Sequence, residues 1–222
     1  MCGHYTLRTD AREIAKHFGV EDVPGVTPRY IIAPSQAVAI VRVAEDGGRE
    51  ADLYRWGLIP SWAKDPAIGN RLINARAETV AEKPSFREAY KRRRCLVIAD
   101  GFFEWQKLER GGKQPYYFKL KDDQPFAFAG LYEHWRGPDD RVINSCTLLT
   151  TMANDVLRPV HDRQPVMLHP ADYDLWLDTD VRKRELLQEL FTPYPAEEMT
   201  SYPVSALVNK PTIDNAQLIN SR

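Results

Sequence analysis

The second residue of the chain offers the most specific chemistry in the sequence. Cys2 follows Met1, and a small second side chain permits an aminopeptidase to remove the methionine. The terminus would then be a 1,2-aminothiol, in which an α-amine with a pKa of about 7.7–8.0 and a thiol with a pKa of about 8.5 share one residue. With an aldehyde, the amine forms a Schiff base and the sulfur closes a thiazolidine ring. Cys2 therefore indicates carbonyl capture, unless it is an incidental residue of a disordered terminus.

Metal binding and disulfide bonding are weaker interpretations of the cysteines. Cys2 and His4 form one Cys-x-His pair, but no further cluster has the spacing of zinc ligands, so we expect no metal site and no cofactor. Cys95 and Cys146 complete an odd set of three cysteines without paired spacing, which argues against a disulfide framework.

Length and composition limit the class of protein. The 222 residues fit a single domain, which we expect to span residues 1–222 with a core of about 2–210. The 30 basic and 31 acidic side chains give a net charge of −1, so a nucleic acid could be bound only by a local patch. No apolar run approaches the roughly 20 residues of a membrane helix, and no targeting segment is evident. We therefore expect a cytoplasmic protein, associated with the nucleoid if bacterial, and a monomer.

Periodicity predicts strands with a few helices around them. Asp10 and Glu13 form a capping-box pair before a short helical stripe that stops at Gly19, and residues 36–44 and 49–56 are typical of a hairpin. Residues 76–94 are predicted to be helical with a break at Pro84. Further segments are predicted as strands (4–8, 95–99, 116–120, 125–135 and 141–151) or helices (170–177 and 181–191). The expected fold is α+β, a twisted and barrel-like antiparallel sheet with peripheral helices.

Several motifs combine polar residues with aromatic or apolar neighbours in a way that a simple core would not require. They are MCG at residues 1–3, RYIIAP at 29–34, WGLIPSW at 56–62, LINARAET at 72–79, ADGFFEW at 99–105 and HDRQP at 161–165. In this order, from residue 2 to about residue 210, the set resembles the SRAP family, the SOS-response-associated peptidases, also described as abasic-site processing proteins. Each motif is unremarkable alone, but their joint occurrence in that order is specific.

The resemblance implies a covalent sensor of DNA damage. Family members use an N-terminal cysteine to crosslink the ring-opened aldehyde of an abasic site in single-stranded DNA, which shields the lesion. On this sequence the nucleophile maps to Cys2 after Met1 is removed, by an aminopeptidase or by the protein itself. Asn74 matches the asparagine that holds the cysteine terminus or the opened sugar, although an amide that caps a following helix is an equally simple interpretation. Weak lyase activity and autocatalytic peptidase activity are further expectations of the resemblance.

The same resemblance implies two residues that transfer protons. Glu104 lies between Phe103 and Trp105, where an apolar environment would raise the pKa of its carboxyl group, and by resemblance it manages protons at Cys2. His161 matches the histidine that would transfer protons during ring opening or imine formation. The alternatives are an exposed strand glutamate and a core histidine bonded to Asp162 or to the backbone.

A groove for a single strand needs positive charge for phosphates and aromatic faces for bases. The predicted DNA-binding residues are Arg76, Trp62, Trp105 and, more weakly, Arg163. The resemblance adds Thr150, which matches a family position near the DNA. If residues 74–76 are extended, Asn74 and Arg76 point to the same face. The basic run at residues 91–94 is interpreted as a solvated cluster at a helix end and is left outside the site.

Two positions depart from the family pattern, and two other functions stay open. His4 stands where arginine is usual and Ile31 where asparagine is usual, which puts a phosphate contact and a polar interaction in doubt. One alternative function is a thiol peptidase, in which Cys2 attacks an amide with His161 as the base. The other is a non-covalent single-stranded DNA binder in which Cys2 is incidental.

Overall fold

A computed structural model of the chain describes residues 2–181, 183–210 and 212–222. Its strands are β1 His4–Leu7, β2 Arg29–Ile32, β3 Ala37–Val43, β4 Arg49–Trp56, β5 Asn74–Arg76, β6 Arg94–Ala99, β7 Gly101–Lys107, β8 Lys113–Leu120, β9 Phe126–Arg136, β10 Val142–Met152, β11 Arg163–Pro165, β12 Met167–Leu168 and β13 Met199–Pro203. The helices are α1 Ala11–Phe18, α2 Arg87–Arg92, α3 Tyr173–Leu177 and α4 Arg184–Glu189. Among the described residues, no helix has the length and apolar character that crossing a bilayer requires.

Five strands close into a barrel. β4, β3, β6, β9 and β10 pair in succession, and β10 returns to β4 through a parallel pairing of Ser145 with Arg55 and of Cys146 with Trp56. The short β5 pairs in parallel with β10, and β11 and β12 extend the sheet beside β10 and β9. The buried apolar core includes Cys95, Leu96, Val97, Ile98 and Ala99 of β6, which are all 0% exposed.

A second sheet carries the N-terminus. Its strand order is β13-β8-β7-β1-β2, so the first strand of the chain is an interior strand between β7 and β2. Asp100 separates β6 of the barrel from β7 of this sheet. Val204, Val208 and Leu218 from the C-terminal part of the chain pack in a small apolar cluster with Ile31 of this sheet. The predicted α+β fold with a barrel-like sheet is therefore confirmed, with parallel pairings of β10 that the antiparallel prediction did not include.

Local sequence signals placed several elements correctly. Asp10 caps α1 by accepting from the backbone N–H groups of Arg12 and Glu13, and Gly19 ends the helix in the left-handed conformation at φ 65°. The predicted hairpin is β3 and β4, joined at residues 44–48. The predictions at residues 4–8, 95–99, 116–120, 125–135 and 141–151 correspond to β1, β6, β8, β9 and β10.

The predicted helix over residues 76–94 is wrong for most of its length. Arg76 ends β5, residues 77–86 form successive turns, and only Arg87–Arg92 is helical. The interpretation of residues 91–94 as wholly solvated is wrong at Arg94, which is buried. Its guanidinium donates to Tyr90 O at 2.8 Å and to Trp176 O at 2.6 Å, and so satisfies carbonyls at the ends of α2 and α3.

One glycine at the junction of the two sheets permits a close approach of Tyr117. A Cβ at Gly101 would lie 2.0 Å from the hydroxyl oxygen of Tyr117. We expect Gly101→Ala to lower the free energy of unfolding by about 3 kcal/mol, because overpacking forces the fully buried Tyr117 ring to move. Urea denaturation measures this change.

Gly48→Ala is the matched control. The nearest atom to a Cβ there is a carboxylate oxygen of the exposed Asp46 side chain at 3.2 Å, which can rotate away. We expect a change of less than about 0.5 kcal/mol at this exposed position. Equal losses in the two variants would contradict the packing argument at Gly101.

Candidate active site

The pairing of β1 with β7 brings the N-terminal cysteine to a buried carboxyl group. His4 pairs with Phe103, so the next position of this register places Gly3 opposite Glu104. Cys2 is 0% exposed, and its Sγ donates a weak hydrogen bond to His4 O at 3.7 Å. Burial, followed by the negative charge of Glu104, raises the pKa of the Cys2 thiol well above its usual value. The thiol is therefore protonated at neutral pH.

Glu104 has the properties of a proton-transfer group. Its side chain is 2% exposed, and burial raises the pKa of its carboxyl group from 4.5 to about 7. A carboxyl group with this pKa exchanges protons at neutral pH, which an exposed glutamate does not. The predicted direction of the pKa shift is therefore seen, with burial as its cause.

Asn74 reaches the same place from the barrel. It begins β5, whose pairing with β10 is fixed by Leu148 opposite Asn74, and its Nδ2 donates to Cys2 O at 2.8 Å. Because a carbonyl oxygen only accepts, the amide nitrogen faces Cys2. The Oδ1 atom is buried and accepts no hydrogen bond from the residues that the structure describes. The alternative of a helix cap is wrong, since turns and not a helix follow β5.

His161 lies in the loop between β10 and β11. The backbone N–H of Arg163 donates to His161 Nδ1 at 3.0 Å, and Asp162 Oδ1 lies 3.0 Å from the same nitrogen. These two contacts require opposite protonation of Nδ1. Desolvation lowers the pKa of His161 and the Asp162 carboxylate is largely exposed, so the neutral ring that accepts from Arg163 prevails. Its proton is then on Nε2, which makes the neutral ring a donor.

Two predicted DNA-binding residues are buried in the structure. Thr150 is 0% exposed, and its hydroxyl donates to Ala75 O at 3.4 Å. The guanidinium of Arg163 bonds to both carboxylate oxygens of Glu78 at 2.6 and 3.0 Å and to Thr150 O at 2.5 Å. Burial removes the Thr150 hydroxyl from the surface, and the bidentate ion pair occupies Arg163. In this structure both residues tie β10 to its neighbours.

The remaining predicted DNA-binding residues have solvent-accessible side chains. Arg76 is exposed at the end of β5, and Trp62 is 58% exposed with its Nε1 donating to Pro84 O at 3.4 Å. Trp105 is half-buried. Its ring packs edge-on against His4 at 5.4 Å, and its Nε1 donates to Asn209 Oδ1 at 2.8 Å.

The two departures from the family pattern have local explanations. Burial lowers the pKa of His4, so its ring is neutral at neutral pH and contacts Trp105. Ile31 is 1% exposed beneath the C-terminal residues, where an apolar side chain suits the surroundings. The sequence analysis gave no role to Asp100, Glu78 or Asn209. For Asp100 and Glu78 the available signal was their presence within the ADGFFEW and LINARAET motifs.

Comparison with known proteins gives the family. The sequence model described as SOS response associated peptidase (SRAP) matches residues 1–211. The chain belongs to the SRAP family. It is 41% identical over 224 residues to the abasic site processing protein YoqW of Bacillus subtilis, with complete coverage of both chains. It is 30% identical to the abasic site processing protein YedK of Escherichia coli, with 99% of each chain covered.

A solved structure and a further curated relative also match this chain. A crystal structure of a protein from Bacteroides thetaiotaomicron superimposes with a TM-score of 0.90 at 27% identity and covers 100% of both chains. The abasic site processing protein HMCES of Xenopus tropicalis is 32% identical over 75% of this chain and 56% of its own length. The SRAP match ends at residue 211, before the last residues that pack on the outer sheet.

Proposed function

We propose that this SRAP protein captures abasic sites in single-stranded DNA by a covalent bond to Cys2. The observation that carries the proposal is the convergence on Cys2 of an amide donor from the barrel and a buried carboxyl group from β7. Relatives across the full length of the chain are named abasic site processing proteins. Removal of Met1 would expose the α-amine of Cys2 at this point.

The α-amine makes the first bond. An abasic site in its ring-opened form carries an aldehyde at C1′. The amine nitrogen attacks C1′, and the carbonyl electrons move to oxygen to give a carbinolamine. Glu104, with a pKa near 7, accepts the proton that the nitrogen loses and returns it to the departing hydroxyl group, which leaves as water. His161 supports this step by donating from Nε2 to the sugar oxygen.

The sulfur makes the second bond. The thiol adds to the imine carbon, and its proton passes to the imine nitrogen, which closes the thiazolidine ring. This step releases nothing, so the one water lost in imine formation is the only by-product. A protonated thiol suits this order because the amine is then the stronger nucleophile at neutral pH. The Schiff base could instead allow β-elimination, and we expect weak lyase activity from that branch.

The alternative of a thiol peptidase is less well supported. Such an enzyme needs a thiolate, which a positive neighbour or a helix N-terminus normally stabilises. Here burial and Glu104 raise the pKa of the thiol, and the Nδ1 atom of His161 accepts from the backbone of Arg163. Cleavage of Met1 alone would be self-maturation and not general proteolysis.

A crosslinking assay tests the proposal. Purified protein is mixed with a single-stranded oligonucleotide whose one uracil has been removed by uracil glycosylase, and the products are denatured and separated. We expect a stable adduct whose intact mass equals protein without Met1 plus oligonucleotide minus one water. The undamaged oligonucleotide is the control. Absence of an adduct with protein shown by mass spectrometry to lack Met1 would reject the proposal.

Arg76 should contribute to strand binding through a phosphate. We expect Arg76→Ala to weaken binding of an undamaged single strand several-fold and to reduce the slope of log affinity against log salt by about 0.7, because one phosphate contact is lost. Fluorescence anisotropy over a salt series measures both values.

Arg136→Ala is the matched control for that measurement. Arg136 is an exposed arginine at the end of β9, where it pairs with Asp140 at 3.3 Å. The same loss of overall charge there should leave the affinity and the salt slope close to wild type. If both variants behave alike, the effect is one of net charge and Arg76 makes no specific contact.

A further inference from the structure

The nucleophile of this protein lies where chains usually fray. Residues near a chain end are commonly poorly ordered, whereas β1 is short but paired with β7 and β2. Cys2 lies two residues before β1, so any movement of the strand moves the reacting atoms directly. The Asn74 contact holds Cys2 itself, and a further anchor along β1 would fix the register of the strand.

A buried carboxylate supplies such an anchor at the other end of the strand. Asp100 is 0% exposed and accepts from Thr6 Oγ1 at 2.6 Å, Arg8 N at 2.5 Å, Thr9 N at 2.8 Å and Thr9 Oγ1 at 2.9 Å. Its own backbone N–H donates to Thr6 O at 3.0 Å. One residue at the junction of the two sheets thus gathers the end of β1 and the two residues that follow it.

The network continues across the second sheet from Thr6 on β1 to Tyr117 on β8. The single hydroxyl proton of Thr6 points to Asp100, so the Tyr117 hydroxyl, 2.8 Å away, donates to Thr6 Oγ1. Tyr117 lies on β8 and reaches Thr6 over Gly101, where no side chain could fit. Thr6 is therefore the central member of a buried chain of hydrogen bonds that joins β8, β1 and the end of the barrel.

We infer that Asp100, Thr6 and Tyr117 form a clamp that sets the position of Cys2 relative to Glu104 and Asn74. A slip of β1 by one residue would exchange its two faces and move Cys2 by about 3.3 Å, which breaks the contact between Asn74 and Cys2 O. The clamp opposes that slip because the Thr6 hydroxyl contacts both Asp100 and Tyr117, and a slip would break both hydrogen bonds. These three are positioning residues, since the clamp acts through β1.

Thr6→Val and Thr6→Ser test the clamp, and the crosslinking readout rests on the proposed function. Valine keeps the shape of threonine and removes the hydroxyl, whereas serine keeps the hydroxyl. In single-turnover crosslinking at saturating protein, we expect Thr6→Val to lower the maximal rate about tenfold or more, with half-saturation unchanged. Thr6→Ser should restore the rate to within about twofold of wild type. Hydrogen exchange of the β1 amides should accelerate in Thr6→Val alone.

Glu133→Gln controls for general destabilisation. Glu133 is a buried carboxylate on β9 that pairs with Arg93 at 2.8 Å, and its loss should reduce stability without changing the crosslinking rate. A Thr6→Val rate within twofold of wild type, or a Thr6→Ser rate as low as that of Thr6→Val, would overturn the clamp. If wild type lacking Met1 forms no adduct, the proposed function fails. The clamp is tested separately by hydrogen exchange, and unchanged exchange of the β1 amides in Thr6→Val would reject it.

Discussion

The Cys2→Ser variant, once Met1 is removed, should form a Schiff base with an abasic oligonucleotide but no durable adduct. Serine leaves the α-amine in place, so imine formation continues, but its hydroxyl is a poorer nucleophile than a thiol for closing the ring. We expect the yield of denaturation-resistant adduct to fall about 100-fold or more. Borohydride, which reduces the imine carbon to a stable amine, should recover the crosslink in Cys2→Ser. Gel electrophoresis with and without borohydride measures both yields.

Cys146→Ala separates the role of Cys2 from that of cysteine in general. Cys146 is as fully buried as Cys2 but lies on β10 within the barrel. This variant should crosslink as wild type does after correction for the folded fraction. A durable adduct in Cys2→Ser without borohydride would contradict ring closure by sulfur. No adduct even with borohydride would contradict attack by the amine.

The second large effect is expected at Glu104. Glutamine keeps the shape of the side chain but cannot carry a proton between the amine and the departing hydroxyl. We expect Glu104→Gln to lower the crosslinking rate about 100-fold and to remove the inflection that wild type shows near pH 7. Single-turnover rates across pH 5–9 measure this profile. A variant that retains the inflection would assign the titration to another group.

The same substitution should stabilise the fold at high pH. The folded protein favours the protonated carboxyl, because burial raises the pKa of Glu104 from 4.5 to about 7. The free energy of unfolding therefore falls as the pH rises from about 4.5 to about 7. In this range the Glu104 carboxyl is ionised in the unfolded chain but still protonated in the folded protein. Above pH 7 the ionised Glu104 carboxylate costs the folded state roughly 3 kcal/mol, and Glu104→Gln removes this cost. Urea denaturation should show the variant to be more stable at pH 8 and similar to wild type at pH 4.

A reversal of that pH trend would contradict the assignment. If Glu104→Gln lost stability at pH 8, the ionised carboxylate would be the form that the fold stabilises, and its pKa would be lowered. Proton transfer near neutrality would then need a different residue. Glu133→Gln again provides a comparison, because Glu133 pairs with Arg93 and its removal should destabilise the protein at pH 8.

Signals of short range explain what could be predicted of the fold. The cap of α1 at Asp10, its end at Gly19 and the hairpin of β3 and β4 depend on neighbours within a few residues. The strands of the barrel were found from runs of apolar residues. The helix predicted at residues 76–94 failed because β5 gains its pairing from β10, which is far away in the sequence.

Residues of the candidate site could be predicted where the signal lay within a few positions of the residue itself. Cys2 was identified by its place in the chain, and Glu104 by its two aromatic neighbours. Arg163 and Thr150 were predicted to bind DNA, yet the buried Thr150 hydroxyl donates to Ala75 O, and the buried Arg163 guanidinium pairs with the half-exposed Glu78. Asp100 received no role, because its partners are Thr6, Arg8 and Thr9, more than ninety positions away.

The sequence by itself predicted the reactive group of the proposed function, because that prediction depends on the type of one residue and on its neighbours along the chain. Only the tertiary structure decided the pKa of the carboxyl group near Cys2 and the hydrogen-bond partners of the site residues. Burial raised the pKa of Glu104, the strand register brought Asn74 to Cys2, and buried polar groups paired across the two sheets. Desolvation and hydrogen-bond geometry depend on atoms that meet only when distant segments pack together.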